Sequence, residues 1–169
     1  MNPELFTTQL AQQAQTIRSL VQGVSPEQAR WKPEAQSWSI LEVTNHLYDE
    51  EREDFRAHLE NILLQPSQPW ARIDPQGWVT QREYNQRDLA QSLQNFLDER
   101  QKSLAWLQGL ITPDWQTLFN TPFGPITAGD VFAAWVAHDL LHIRQLVELH
   151  YAYTVQSAQP FQVYYAGDW

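Results

Sequence analysis

The stretch VFAAWVAHDLLHIRQLVELH, residues 131–150, carries the features from which the rest of this chain is read. Thr127 and Asp130 stand just ahead of it as an N-cap pair, in which hydroxyl and carboxylate satisfy the orphan N–H groups of a first helical turn. The stretch is therefore a helix, and His138 and His142, four residues apart, point the same way one turn from each other. The turn before them, Phe132 to Ala137, is apolar, so their face looks inward and a polar pair there needs partners. Two readings follow from the spacing. The pair is either two half-buried histidines bonded to neighbouring side chains, or two ligands of one metal ion.

Three more helical patterns precede this one. Phe6, Leu10, Ile17, Leu20, Val21 and Val24 recur at helical spacing until Gly23 and Ser25-Pro26 end the run, with Ser25 and Pro26 placed to cap a short extra helix. A second pattern opens near Trp38. Ser39 and Glu42 form a capping box, Trp38 and Val43 sit as a hydrophobic staple, and an apolar stripe of Val43, Leu47, Phe55, Leu59 and Ile62 runs to about Leu64. A third carries Leu89, Leu93, Phe96, Leu97, Leu104 and Leu107 on one face. Residues 65–84 hold three prolines and a glycine and are expected to be a long irregular connection, of the kind that forms lids and binding loops. No segment reads as a strand. The tail from Tyr151 on, with five aromatic rings after that residue, shows no helical period and is expected to pack across the bundle or join a partner. The reading is all-α: a four-helix bundle with long irregular connections and an aromatic C-terminal tail, one domain over residues 1–169.

Composition excludes several function classes. At 43% hydrophobic and 18% charged, the chain has the balance of a globular protein rather than a disordered one. With 20 acidic against 11 basic residues and no Lys/Arg cluster, it lacks the basic stripe that displaces counterions from nucleic acid. The absence of cysteine removes disulfides, thiolate metal sites and a thiol nucleophile. The N-terminal MNPELFTTQLAQQ lacks the basic and apolar regions of a signal peptide, and no apolar run reaches membrane-spanning length, so no membrane contact is expected and the chain is taken as cytoplasmic. Eight tryptophans suggest a lined cleft as well as a core.

His46 turns the histidine pair into a constellation. It lies on the second helix with Glu42, Asp49, Glu50 and Glu53 within about 60° of it on the helical wheel, and bundles build metal sites from inward side chains on facing helices. Most of those acids are expected to be a solvated face, and Glu42 is committed to its capping box. His58 and His150 each lie twelve residues beyond a candidate ligand, rotated by roughly 120° in a regular helix, and are expected at the surface or against the tail. His138-Asp139-Leu140-Leu141-His142 is not the HExxH zinc protease motif, because Asp139 stands where that motif needs Glu.

Trp38-Ser39-Ile40-Leu41-Glu42, followed by His46-Leu47 and Asp49-Glu50, resembles the WSxxExxxHLxxxE signature of the DinB/YfiT-like metalloenzyme family. Pro125-Ile126-Thr127-Ala128-Gly129-Asp130, leading to His138-xxx-His142-xx-Gln145, is similar to that family's fourth-helix pattern, and the tail Tyr165-Ala166-Gly167-Asp168-Trp169 agrees with it. The resemblance implies a bundle of up-down-down-up type and a divalent metal on His46, His138 and His142. It also implies chemistry similar to that of thiol S-transferases and metal-dependent hydrolases. Three imidazoles leave an open coordination position, and nitrogen ligands suit Zn, Ni, Fe or Mn. The expectation is a metal-activated thiol or water acting on a small-molecule substrate, with a low-molecular-weight thiol as the candidate co-substrate. Trp135 and Gln145 are expected to border the metal and substrate, and Glu50 and Glu53 to serve as outer-shell partner or general base. The alternative, from a different class, is a non-catalytic, stress-associated bundle that binds metal or a small molecule. Tail aromatics of this kind also mark interfaces, so a homodimer is expected.

Overall fold

A computed structural model describes residues 2–167; Met1 and the tail residues Asp168 and Trp169 lie outside the described residues. Seven α-helices and one hairpin follow in the order α1 (Pro3–Val21), α2 (Pro26–Arg30), α3 (Ile40–Glu50), α4 (Arg56–Leu64), α5 (Pro75–Gln81), α6 (Leu89–Gly109), β1 (Leu118–Thr121), β2 (Gly124–Thr127) and α7 (Ala128–Ser157). A π-helical turn, Glu51–Phe55, joins α3 to α4 without a break, so that α1, α3–α4, α6 and α7 are the four helices of a bundle.

The starts of these helices follow from local chemistry. Asn2, Ser25, Asp74 and Asp88 each accept a hydrogen bond from a first-turn N–H. Ser39 with Glu42 and Thr127 with Asp130 form complete capping boxes, as the sequence predicts.

Contacts between named residues fix the topology. Asn45 bonds Arg87, Glu51 bonds Arg100 and Arg56 bonds Ser103, so numbering rises together on the second and third bundle helices and the two are parallel. Gln13 bonds the Val136 carbonyl and His150 bonds that of Leu20, so the first and fourth are parallel as well. The up-down-down-up order holds, with α1 packed on α6 and α7 and diagonal to α3.

The core is in two blocks. One gathers Leu10, Leu59, Ile62, Phe132 and Trp135; the other gathers Ile17, Val43, Leu47, Phe96 and Leu146. Between them lies a fully buried ion network. Arg100 forks onto Glu51 at 2.7 and 2.8 Å and onto Asp139 at 2.7 and 3.0 Å, and donates to the Leu10 carbonyl at 2.8 Å. The Trp135 indole N–H donates to the same Glu51 carboxylate at 3.0 Å. All four bundle helices therefore meet at one guanidinium. Burial alone would lower the Arg100 pKa, and the two carboxylates raise it instead.

Five expectations are corrected. Residues 65–84 are not irregular throughout, because Asp74 and Pro75 nucleate α5 and a 3-10 turn follows at Tyr84–Gln86. A short antiparallel hairpin precedes α7, with Leu118 opposite Thr127 and Phe119 opposite Ile126; Thr121 Oγ1 accepts from Phe123 N–H and donates to the Gly124 carbonyl to close it. The tail is helical as far as Ser157, where Tyr153 meets Trp31 edge-on with ring centroids 5.4 Å apart. Beyond it Phe161, Tyr164 and Tyr165 are exposed rather than packed across the bundle.

The fourth correction concerns His58, which is 1% exposed rather than a surface residue. The π turn is the reason. One extra residue in the turn removes about 100° of rotation, so the twelve residues from His46 to His58 advance as about eleven, which brings His58 to within about 20° of the His46 face. His58 Nδ1 faces Asp54 Oδ1 at 2.6 Å, Nε2 faces the Ala71 carbonyl at 3.0 Å, and its ring stacks on Trp70 at 3.8 Å. His150 is half-buried and bonded to Gln28, not to the tail.

Candidate metal centre

His46 on α3 and His138 and His142 on α7 converge. His46 Nε2 lies 3.3 Å from His138 Nε2, which lies 3.1 Å from His142 Nε2, and the three candidate ligand atoms fall within 4.8 Å of one another. Among the described residues no other group of three His, Cys, Asp or Glu side chains has this geometry. The capping box at Ser39 fixes the phase of α3, and the Thr127 box fixes that of α7, so both helix starts aim histidines at the same point.

Protonation favours lone pairs. Burial, with repulsion from His142 and His138, pushes His46 down to about 2. Burial and His142 push His138 down to about 3, and burial lowers His142. The His142 Nδ1–H donates to Gln145 Oε1 at 2.8 Å, which leaves its Nε2 as a bare acceptor directed at His138.

These residues fit a divalent cation. Tetrahedral zinc with Zn–N bonds of 2.0–2.1 Å holds its nitrogen ligands about 3.3 Å apart, and the spacings here are 3.1 and 3.3 Å. A cation there would take up the His142 Nε2 lone pair together with the ring nitrogens that face it.

A cleft of about 710 Å³ opens beside the histidines, walled by Trp38, Pro33 and Pro75. Trp38 lies parallel to His142, 7° between planes with centroids 6.2 Å apart, and 4.7 Å from His46. Glu50 reaches the cleft with Oε2 3.9 Å from His138 Nε2, while its buried Oε1 has no partner. Burial, then the neighbouring Asp54 and Asp49, pushes Glu50 up to about 9. A second cleft, about 650 Å³ between α1 and α6, contains no histidine.

The expected site residues divide. His46, His138, His142, Glu50 and Gln145 border one cleft. Glu53 does not: it pairs with Arg82 at 2.9 and 2.8 Å and with Arg52 at 2.5 Å. Trp135 does not either, being 1% exposed in the core with its N–H on Glu51. Two groups near the centre escaped the sequence reading. Trp38, which the sequence marks as a staple and as the start of the family signature but not as a cleft residue, is the aromatic wall. Tyr84 donates to Asp49 Oδ2 at 2.5 Å while Arg82 bonds the same carboxylate at 2.7 Å, tying α5 and the following turn onto α3. No spacing rule links a loop tyrosine to a helix aspartate 35 residues earlier.

A helical bundle with a three-histidine cluster at a cleft defines a class of metal-binding proteins. The chain belongs to the DinB superfamily, whose family model matches residues 9–146. Its fold is similar to that of YfiT from Bacillus subtilis, described as a probable metal-dependent hydrolase with an unusual four-helix bundle topology. The likeness has a TM-score of 0.77 at 18% identity, over 87% of this chain and 85% of that one. No curated protein matches the sequence. Among the described residues no helix is long and apolar enough to cross a membrane.

Proposed function

We propose that this protein is a metal-dependent enzyme that activates a thiol or water for attack on a small electrophilic substrate. The convergence of three neutral imidazoles, their Nε2 atoms facing one another at the wall of an open cleft, carries the reading. A divalent cation bound there supplies a Lewis-acid position that lowers the pKa of the attacking group.

The chain's own residues have distinct parts in this scheme. Gln145 fixes the His142 tautomer and ring orientation. Glu50, the acid beside His138, takes the proton from the nucleophile and returns it to the leaving group. Trp38 limits water on one side of the cleft and gives the substrate an apolar face. Glu53 and Arg82 together hold α5 against α3 and so shape the rim, and Trp135 orients Glu51 beneath it. Zn, Ni, Fe and Mn all suit the donor set, and a low-molecular-weight thiol is the co-substrate proposed.

The test has two parts. Elemental analysis of protein purified without a histidine tag is expected to show near one equivalent of metal; less than roughly a tenth overturns the metal claim. The loaded protein, incubated with low-molecular-weight thiols and electrophiles, is expected to turn over at least one pair, with activity lost in His46→Ala. Metal without turnover favours a binding protein instead.

A further inference from the structure

The cleft beside the histidines has an unusual balance of charge. Its ionisable lining, apart from the histidines, is Glu50 and Glu148, and no lysine or arginine borders it. The remaining polar lining is neutral, from Gln36, Ser37, Gln76 and Gln145. Basic side chains on the same elements are held elsewhere. Lys32 bonds Glu42 at 2.7 Å, Arg52 bonds Asp49 at 2.8 Å, and Arg82 is shared between Asp49 and Glu53.

Two acceptors have capacity to spare. Glu50 is 4% exposed and its Oε1 has no hydrogen-bond partner, a cost that an N–H donor from a ligand would remove. Glu148 stands at the rim with its side chain about half exposed, and its one ion pair, to Arg144, is long at 3.4 Å. Trp38 adds an aromatic wall, which attracts cations over its face. In the metal-free cleft a carboxylate or phosphate would meet Glu148, whose partner Arg144 lies outside the lining, and no basic side chain among the lining residues.

We propose that this cleft selects small molecules that carry a protonated amine and lack a free carboxylate or phosphate, with the ammonium donating to Glu50 Oε1 and drawn in by Glu148. The inference rests on the cleft's being the substrate site of the function proposed above. It narrows the substrate class to amino-bearing molecules and sets anionic thiols aside.

Three thiols of nearly equal size test it: cysteamine, 2-mercaptoethanol and mercaptoacetate. Each is titrated into the full chain, metal-free and cobalt-loaded, with the Trp38 indole N–H followed by NMR. In the metal-free protein cysteamine is expected to bind about tenfold more tightly than mercaptoacetate, with 2-mercaptoethanol between them. Glu148→Gln, which removes a charge, and Glu50→Leu, which removes the acceptor, are each expected to narrow that ratio, and added salt to weaken the Glu148 part of it. Mercaptoacetate binding as tightly as cysteamine, no response to cysteamine, or a ratio unchanged in both variants overturns the proposal. The cobalt arm separates this inference from the broader one. An amine preference without cobalt uptake or a cobalt–thiolate absorption band removes the metalloenzyme reading and leaves the selectivity standing. Cobalt uptake with no preference among the three thiols does the reverse.

Discussion

Gln145 holds His142 through a 2.8 Å hydrogen bond from the ring Nδ1–H to the amide oxygen, three residues along the same helix. The bond decides which nitrogen of His142 is free to bind a metal. Gln145→Leu is expected to weaken zinc binding by about 10–100-fold, whereas Gln145→Glu, which keeps an acceptor, retains most of it. Competition with a chromophoric chelator measures both.

Zinc that binds the folded chain and not the unfolded one raises stability by mass action. At a free concentration about 100 times Kd the gain is about 2.7 kcal/mol. A thermal melt of the wild-type protein is expected to shift upward with zinc, and one of His46→Ala to remain unmoved.

The titrating groups of the metal-free centre oppose one another across the pH scale. His46 and His138 are pushed down to about 2 and about 3 from 6.5. As pH falls below about 6.5 the unfolded chain takes up protons that the folded one refuses, so this contribution, complete above that pH, is lost toward pH 3. Glu50 is raised to about 9 from 4.5, so its contribution is complete below about 4.5 and is lost as pH climbs to 9. Urea unfolding of the metal-free protein is expected to show stability declining on both sides, and Glu50→Gln to flatten the alkaline side alone. Calorimetry in two buffers at pH 7 is expected to find about one proton released per zinc bound, from Glu50 and not from the histidines; Glu50→Gln abolishes that release.

Arg100 is bonded to two buried carboxylates and a backbone carbonyl. Arg100→Met leaves Glu51 and Asp139 buried without their cation and is expected to cost about 3–5 kcal/mol by chemical denaturation. Replacing all three by apolar residues of similar volume is expected to recover most of that loss, since the desolvation of the charges goes with them.

The π turn sets the phase between His46 and His58. Deleting Glu53 would make the helix continuously α and keep that phase, since eleven α residues then separate the two histidines, whereas inserting one alanine after Arg56 would swing one of them by about 100°. The insertion is expected to lower both the urea midpoint and the zinc content, whereas Glu53→Ala, which loses only the Arg52 and Arg82 pairs, keeps the zinc.

The capped helix starts, the histidine triad and the parallel pairing of helices were legible in the sequence, because each rests on short-range chemistry or on a matching pattern. Ser39 with Glu42 and Thr127 with Asp130 are local boxes whose residues stand three apart. The π turn was not legible, because the residues Glu51–Phe55 carry no local signal for an extra residue; Glu51 is drawn in by Arg100, 49 positions later. His58 was misplaced for that reason alone. The last turns of α7 were missed because Tyr151, Tyr153 and Thr154 are indifferent helix formers, held helical by packing such as that of Tyr153 on Trp31. Trp135 misled in the opposite direction. Its spacing from His138 puts it one turn away, and only the tertiary partner Glu51 turns it into the core.

The guanidinium at the crossing of the bundle also governs how the protein can come into being. Its three partners sit on different helices, 10, 51 and 139 in the numbering, so no stretch of chain shorter than nearly the whole can supply all of them. A nascent chain lacking α7 holds an arginine with two of its three partners, and one lacking α1 leaves an N–H unanswered. Partial assemblies are thereby penalised, and unfolding is driven toward a single all-or-none transition. His46 on α3 and the His138–His142 pair on α7 therefore meet only in the finished bundle, and chains lacking either helix hold an incomplete set of metal ligands.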